Sequence, residues 1–180
     1  MDAKECLTQR RSCRKYKPEK IDRAVIREIV ELSRFAPSWK NTQIARYTVI
    51  DDEALKNEIA NRGVLGLTFN TKTITRAAAV AVISYQVGLS GREMDGTFTT
   101  PEKDAWEMFD AGIATQTFCL AAREFGVGTC IIGVMDTAFI QEKLGLPQDQ
   151  KVACLVAMGY PEEWKSAPQR KEPEEILSFR

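Results

Sequence analysis

Ala77-Ala78-Ala79-Val80-Ala81-Val82-Ile83-Ser84-Tyr85 is an almost continuously apolar run. A run of this length without polar alternation is typical of a central strand that is buried on both faces. Residues 152–158, Val-Ala-Cys-Leu-Val-Ala-Met, follow the same pattern. Two such strands must be covered on both sides, and the chain interleaves them with helical patterns. The sequence therefore predicts an α/β or α+β sandwich.

Capping residues and apolar spacing outline the elements around these two strands. The patterns predict helices over residues 3–9, 23–35, 52–62, 104–125 and 136–144 and a strand over residues 47–50. Small residues at the centre of the longest helix indicate a central or subunit-contact position. Residues 63–70 are predicted as a loop. Residues 86–103, rich in glycine and threonine, are predicted as a long loop that is a candidate lid over a substrate.

Length and charge exclude several classes of protein. The 180 residues fit one domain, or one protomer of an intertwined oligomer. With 25 basic and 25 acidic residues the net charge is 0, which argues against a general nucleic-acid or membrane surface. No apolar run approaches the roughly 20 residues that a membrane span needs. The N-terminus is polar and does not resemble a secretory signal, so we expect a cytoplasmic protein.

The chain has no histidine, and its cysteines are unpaired in pattern. Without histidine the usual general base and the commonest zinc ligand are missing, so no metal site is expected. Five cysteines at irregular spacing predict buried thiols rather than a disulfide framework. These absences favour chemistry carried by a cofactor.

Residues 10–17, Arg-Arg-Ser-Cys-Arg-Lys-Tyr-Lys, concentrate positive charge on a neutral chain. Guanidinium groups match phosphate oxygens bidentately, so the stretch is a candidate phosphate site. The alternative is a solvated charged turn after a short helix. Gly126-Val127-Gly128 follows a long helix rather than a strand, which argues against a Rossmann dinucleotide site.

Several stretches together resemble the nitroreductase family of flavin-dependent oxidoreductases. Arg10-Arg11-Ser12-x-Arg14 resembles the phosphate-binding opening of this family, and Ala36-Pro37-Ser38-x-x-Asn41-x-Gln43 resembles its flavin-contacting loop. Phe69-Asn70 is similar to a third contact, and residues 126–133 resemble the turn that packs on the isoalloxazine ring. Arg170 resembles the closing phosphate ligand. The likeness covers nearly the whole chain in the same order.

The resemblance implies a fold, a cofactor and an assembly. The fold would be an α+β, nitroreductase-like α-β-α sandwich with a central, mainly antiparallel sheet, with residues 1–180 as one FMN-binding domain. Two copies would form an intertwined homodimer with two FMN sites at the interface, and residues 160–180 would be a tail that packs on the partner. NADH or NADPH would deliver hydride to FMN, and a small conjugated electrophile, such as a nitroaromatic compound or a quinone, would accept it in a ping-pong mechanism.

The resemblance also implies site residues, none of them catalytic through its side chain. The implied cofactor-binding residues are Arg10, Arg11, Ser12, Arg14, Pro37, Ser38, Asn41, Gln43, Asn70, Lys72, Ile131, Ile132, Gly133 and Arg170. Arg10, Ser12 and Arg170 would hold the FMN phosphate, and Arg14 would reach toward the ribityl chain and the pyrimidine edge.

The remaining implied residues would surround the flavin ring. Ser38 and Asn41 would contact it from the other subunit. Asn70 would hydrogen-bond the pyrimidine edge, with Lys72 as a weaker neighbour. Ile132 and Gly133 would lie beside the ring, where a backbone N–H can meet the flavin N5.

The sequence departs from the family pattern after Gln43, where Ile44-Ala45-Arg46 replaces the frequent proline and aromatic residue. Trp39 is either an aromatic wall of the site or an exposed anchor. Three other functions stay open: a non-catalytic flavin- or phosphate-ligand-binding protein, a basic-patch interaction protein, and a dehalogenase or desaturase of the same fold.

Overall fold

The computed structural model describes residues 2–180 and contains one antiparallel sheet of four strands. The strands are β1 (Ala45–Ile50), β2 (Ala79–Gln86), β3 (Gly128–Ile132) and β4 (Gln150–Gly159). Their order across the sheet is β1-β2-β4-β3, so the two apolar runs of the sequence form the two central strands. All three pairings are antiparallel. The predicted antiparallel sheet is confirmed. Strands β1 and β3 lie at its two edges.

The central strands send alternate side chains into two separate cores, as the period of two in a strand requires. From β2, Val80 and Val82 enter one core, whereas Ala81 and Ile83 enter the other. From β4, Leu155 and Val156 divide in the same way. All these side chains are fully buried, so the sheet is the middle layer of a sandwich.

Helices cover both faces of the sheet. The helices are α1 (Ala3–Gln9), α2 (Arg23–Ser33), α3 (Glu53–Arg62), α4 (Thr68–Arg76), α5 (Ala105–Glu124), α6 (Thr137–Lys143) and α7 (Pro173–Ile176). Ile59, Ile74 and Ile140 bring α3, α4 and α6 into the first core. Ile29 and Phe118 bring α2 and α5 into the second. Burying a side chain such as Phe118 stabilises the fold by about 1.5–3 kcal/mol, so each face gains from its helices.

Sequence signals located most helix starts because polar side chains cap them. Asp2, Asp22, Asp52 and Asp136 each accept a hydrogen bond from a backbone N–H in the first turn of the following helix. Such caps satisfy donors that the helix leaves free. Within residues 2–180, no helix combines the length and apolar character that crossing a membrane requires.

Helix α4 was not predicted from the sequence. Its nine residues, Thr-Phe-Asn-Thr-Lys-Thr-Ile-Thr-Arg, are rich in β-branched threonine, and Leu67 at its N-cap provides no side-chain hydrogen bond. Tertiary contacts supply what the local sequence lacks. Ile74 is fully buried, and the Thr71 hydroxyl donates to the Ala60 carbonyl on α3 at 2.9 Å. The loop predicted over residues 63–70 therefore ends three residues early, at the start of α4.

Helix α5 has one buried face and one apolar face that residues 2–180 leave largely exposed. Phe118 packs with the sheet and α2, Ala111 packs with Tyr85 of β2, and Ala114 between them is buried. On the opposite face, Met108 and Phe109 are 49% and 58% exposed, and the face continues through Gly112, Ile113, Gln116 and Thr117. Large apolar side chains at this exposure indicate a surface that contacts another molecule.

Candidate functional site

Residues 10–17, the basic segment, lie along the open edge of the sheet. The Cys13 N–H donates to the Thr129 carbonyl on β3 at 2.8 Å, and Ser12 forms a parallel bridge with Thr129. Further along, the Lys17 N–H donates to the Tyr160 carbonyl, also at 2.8 Å. Backbone pairing with β3 and with the chain after β4 therefore fixes the basic segment in position.

Side-chain packing locks the same segment. The buried Tyr16 hydroxyl lies within hydrogen-bonding distance of the Cys13 carbonyl and, at 3.2 Å, of the Ala157 carbonyl on β4. Burial raises the pKa of this phenol well above its usual value, so it stays protonated and can donate. Gly128 permits the close approach, because a Cβ there would lie 2.7 Å from the Cys13 sulfur and 2.5 Å from Pro161.

Cationic side chains surround a small recess, about 60 Å³ in volume, beside the basic segment. Its lining is Arg11, Ser12, Cys13, Arg14, Lys15, Glu163 and Lys165. The Arg11 guanidinium donates through Nη1 to the carbonyls of Thr8 and Arg10, both at 2.7 Å. Its Nε is buried and has no hydrogen-bond partner among the described residues. A buried donor beside several positive charges suits an anionic ligand such as a phosphate.

Arg14 connects the recess to α4. Its guanidinium lies over the Phe69 ring, 5.2 Å from the centroid, and Asn70 is the next residue on the helix. The positive charges of Arg14 and Arg10 also act on the buried Cys130 thiol of β3, where they oppose the rise in pKa that burial causes. The structure thus brings together three of the stretches that the sequence singled out: the basic segment, Phe69-Asn70 and β3.

The end of β3 presents one side chain and a stretch of backbone. Ile131 is 47% exposed, whereas the Ile132 side chain is buried in the first core. Gly133 is exposed, and a Cβ at this position would meet no atom within 4 Å. Ile131 can therefore contact a flat ligand through its side chain, whereas Ile132 and Gly133 have their backbone to offer.

The loop over residues 37–43 lies apart from these stretches. It contains a short 3-10 helix, Trp39–Asn41, and it is held by α5 and by residues 87–104, the segment between β2 and α5. The Lys40 ammonium pairs with Glu93 at 2.6 Å, and the Trp39 ring packs on Trp106 at 4.8 Å between centroids. Among residues 2–180, no hydrogen bond, ion pair or ring contact joins this loop to the basic segment.

The model of one protein family, described as the nitroreductase family, matches residues 7–160 of the chain. This chain belongs to the nitroreductase family. The match includes both central strands and all of the stretches described above. It leaves out residues 161–180, the part of the tail that follows residue 160.

Whole-length relatives agree with this assignment. The chain is 25% identical to an oxygen-insensitive NADPH nitroreductase of Helicobacter acinonychis, covering 98% of this chain and 95% of the relative. It is 27% identical to a nitroreductase family protein of Clostridium novyi NT, with a TM-score of 0.76 over 91% of this chain and 87% of that one. A protein of Exiguobacterium sibiricum, solved in complex with FMN, shares the fold at 23% identity and a TM-score of 0.81, covering 100% and 98%.

The predictions of a nitroreductase, of its α+β fold and of an FMN-dependent NAD(P)H oxidoreductase are therefore confirmed at the level of the family. The residues of this chain fit an FMN phosphate, because the recess offers a hydroxyl, several cations and the free Arg11 Nε. Which residues hold the cofactor, and how two copies assemble, stay predictions.

Besides the 37–43 loop, several predicted residues of this nitroreductase do not line the recess, among them Arg10, which directly precedes its lining, Arg170 and Lys72. Arg170 is exposed in the tail and makes no hydrogen bond or ion pair with the basic segment in the described part of the protomer. The tail cation that lines the recess is Lys165 instead. Lys72, two residues after Asn70, is exposed on α4.

Sequence reasoning missed Lys165, and the local pattern gave no reason to choose it over Arg170. It also missed Asp110, which lies within α5 and accepts a hydrogen bond from the Trp39 N–H. The available signal was a pair of acidic residues one turn apart, Glu107 and Asp110, within a largely apolar helix. Trp39 packs on Trp106 and is half-buried, so it is anchored within its own protomer rather than exposed.

Proposed function

We propose that this nitroreductase binds FMN between two copies of the chain and uses it to pass hydride from NADH or NADPH to a small conjugated electrophile. The observation that carries the proposal is the docking of the basic segment on β3. This docking brings the cationic recess next to the end of β3, where the Ile131 side chain and the Gly133 backbone are exposed. A cofactor with a phosphate at one end and a flat ring at the other matches that combination.

The phosphate end is recognised by charge and by hydrogen bonds. Arg10, Arg11 and Ser12 donate to the phosphate oxygens, and Arg14 extends toward the ribityl chain. The Arg10 guanidinium is half-buried and makes no hydrogen bond within residues 2–180, so it is available for a ligand. Charge-assisted bonds of this kind are about twice as strong as neutral ones.

The ring end is recognised by shape and by backbone. Ile131 packs on the ring, and the backbone of Ile132 and Gly133 faces its edge. Asn70 hydrogen-bonds the pyrimidine edge, which the contact between Arg14 and the neighbouring Phe69 supports. Ser38 and Asn41, with Pro37 and Gln43 beside them, complete the site from the second copy, which agrees with the separation of the 37–43 loop from the basic segment in one protomer.

Two exposed apolar surfaces support the homodimer. One is the uncovered face of α5 around Met108 and Phe109. The other is the tail, where Ile176, Leu177 and Phe179 are exposed on a segment with little secondary structure. Members of this family are generally dimers, and an extended tail that lies on the partner would bury these side chains. Residues 160–180 would then contribute little to the core of their own protomer.

FMN supplies the hydride chemistry when it is bound, and the chain positions it and sets its surroundings. The guanidinium of Arg14 stabilises negative charge that develops at the pyrimidine side of the site. No side-chain acid or base of this chain is needed at the reacting atoms, which is compatible with the absence of histidine. Donor and acceptor use the same open face in turn, so the kinetics are ping-pong.

The test is anaerobic reduction of the purified protein. We expect a yellow protein whose flavin absorbance is bleached by NADH or NADPH and restored by a nitroaromatic compound or a quinone. A colourless protein that does not take up added FMN would overturn the proposal. A yellow protein that neither pyridine nucleotide bleaches would instead be a non-catalytic flavin carrier. A substrate panel on the reduced enzyme separates nitroreduction from dehalogenation and desaturation.

A further inference from the structure

The 37–43 loop has an unfavourable backbone conformation. Lys40, Asn41 and Gln43 have φ values of 43°, 57° and 51°, in the left-handed region that side chains other than glycine disfavour. Five non-glycine residues of the described chain have a positive φ, and three of the five lie within residues 40–43. Such a conformation persists only where the surroundings impose it. Contacts from outside the loop must therefore hold it.

A buried carboxylate on α5 provides that hold. Asp110 is 4% exposed, and its Oδ2 accepts a hydrogen bond from the Trp39 N–H at 2.9 Å and another from the Ser90 hydroxyl at 2.6 Å. The first bond fixes the residue immediately before the left-handed positions. Both bonds are charge-assisted, which makes them stronger than bonds between neutral groups.

The same oxygen also reaches the far side of the turn. Ser90, which is fully buried, lies 3.0 Å from the Thr42 hydroxyl, oxygen to oxygen. The loop closes on itself as well, because the Gln43 N–H donates to the Ser38 hydroxyl at 2.9 Å. Asp110 thus hydrogen-bonds the turn directly at Trp39 and is connected to it at Thr42 through Ser90. The three left-handed residues lie between or next to these two points.

We propose that Asp110 is a positioning residue that holds the 37–43 loop in the conformation in which Ser38 and Asn41 meet the FMN bound by the partner copy. The inference rests on the proposed function of this loop. Asp110 itself does not touch the cofactor. Its effect passes through the backbone of residues 39–42, so its removal loosens the loop first and weakens FMN as a consequence.

The experiment compares Asp110→Ala and Asp110→Asn with the wild-type dimer. Hydrogen exchange of peptides that cover residues 36–46 reports on the loop without FMN, and a fluorescence titration gives the FMN dissociation constant. For Asp110→Ala we expect exchange in the loop and the dissociation constant each to rise roughly 10-fold or more, the effect of losing hydrogen bonds to a charged group. Asparagine keeps the size and one acceptor oxygen, so it restores most of both.

Glu107 provides the matched control. It is also 4% exposed, lies on α5 one turn before Asp110, and accepts a hydrogen bond from the Gly88 N–H at 2.6 Å. Its carboxylate therefore holds the beginning of the 87–104 segment rather than the 37–43 loop. Glu107→Ala, the change that matches Asp110→Ala, should speed exchange near residue 88 and leave both the 37–43 loop and the FMN dissociation constant much closer to wild type. Equal effects of Glu107→Ala and Asp110→Ala on exchange in the 37–43 loop would overturn the inference.

Two further variants separate the possible failures. Asn41→Ala removes a side chain that is proposed to meet FMN directly. If Asn41→Ala leaves FMN binding intact, the loop is not part of the cofactor site and the proposed function is wrong at this point. If Asn41→Ala weakens FMN whereas Asp110→Ala changes neither loop exchange nor affinity, the inference alone fails. If Asp110→Ala does not fold, Ser90→Ala provides the test. Faster hydrogen exchange at residues 41–43 would support the inference that Asp110 holds the loop through Ser90, and unchanged exchange would overturn it.

Discussion

The basic segment and the 37–43 loop are both predicted to touch one cofactor, yet they are built differently. The basic segment has no residue with a positive φ and is paired with β3 and with the chain after β4. The 37–43 loop has left-handed residues and is held by side chains from α5 and the 87–104 segment. One half of the site thus depends on the sheet and the other on the long helix.

The separation of these halves within a protomer shows what the fold of one chain does and does not supply. The sheet edge organises a cationic recess and the end of β3 without help from outside the protomer. The 37–43 loop has its own support from α5 and the 87–104 segment, and no residue of the loop lines that recess among residues 2–180. A complete site across two copies would place a sheet-based half of one protomer against a helix-based half of the other.

The largest expected effect comes from Gly112→Arg on the uncovered face of α5. A Cβ at Gly112 would meet nothing within 4 Å, so the protomer can accept a side chain at this position. In a dimer, however, a guanidinium there would be buried without a partner, at a cost of several kcal/mol. We expect a folded monomer by light scattering. FMN affinity should fall by roughly 100-fold or more, about 2.7 kcal/mol, because the half of the site that the partner copy contributes is lost.

Gly112→Ala is the control for that experiment, because it adds a methyl group without charge. It should leave both the dimer and FMN binding intact. If Gly112→Arg stays dimeric and binds FMN normally, the subunit contact lies on another surface and the two halves of the site do not meet across α5.

The next effect distinguishes the two halves by the part of the cofactor that each recognises. Arg10→Ala should weaken FMN by about 1.5–3 kcal/mol, since it removes a charge-assisted phosphate contact. Asn41→Ala should cost about 0.5–1.5 kcal/mol, the value for a neutral hydrogen bond. Riboflavin, which lacks the phosphate, provides the matched ligand: Arg10→Ala should leave its affinity unchanged, whereas Asn41→Ala should lower it.

Titrations of both ligands against both variants measure this difference. Equal losses of FMN and riboflavin in Arg10→Ala would mean that the basic segment does not recognise the phosphate. An unchanged riboflavin affinity in Asn41→Ala would remove the 37–43 loop from the ring end of the site.

The sequence predicted the central sheet strands well, because side chains buried on both faces leave an unmistakable apolar run. It predicted capped helices for a similar reason, since an aspartate before an apolar period is a local signal. Helix α4 escaped prediction because Ile74 and the Thr71 contact with α3 stabilise it from outside its own sequence. Local propensity is a weak guide where tertiary packing decides.

In the candidate site, too, local sequence signals could be predicted and contacts between distant residues could not. The basic segment was visible as a run of charge, and the resemblance to the family gave it a role. The pairing of Cys13 with Thr129 was not visible, because the bond joins residues more than a hundred positions apart. The support that Asp110 gives to Trp39 depends on helix packing across 71 positions, and no local pattern encodes it. Neither could be inferred without the fold.

A smaller effect tests how the basic segment is docked. Gly128→Ala would bring a Cβ within 2.7 Å of the Cys13 sulfur and 2.5 Å of Pro161. Overpacking of this kind costs about 1–3 kcal/mol, so we expect a lower melting temperature and a parallel loss of FMN affinity as the segment moves away from β3. Hydrogen exchange should increase at residues 12–14 and not at residues 38–43. Increased exchange in both regions would show that the two halves are mechanically coupled within the protomer.

The smallest expected effect concerns the tail cation. Lys165 lines the recess in the protomer, whereas the resemblance assigned that role to Arg170, which is exposed here. Lys165→Ala removes a solvent-screened charge, so it should lower FMN affinity by no more than about 1 kcal/mol and leave riboflavin binding unchanged. The loss should shrink further at high salt. Arg170→Ala is the comparison. If Arg170→Ala lowers FMN affinity more than Lys165→Ala does, we infer that the dimer brings Arg170 to the phosphate. Lys165 would then be the nearer tail cation only in a single protomer.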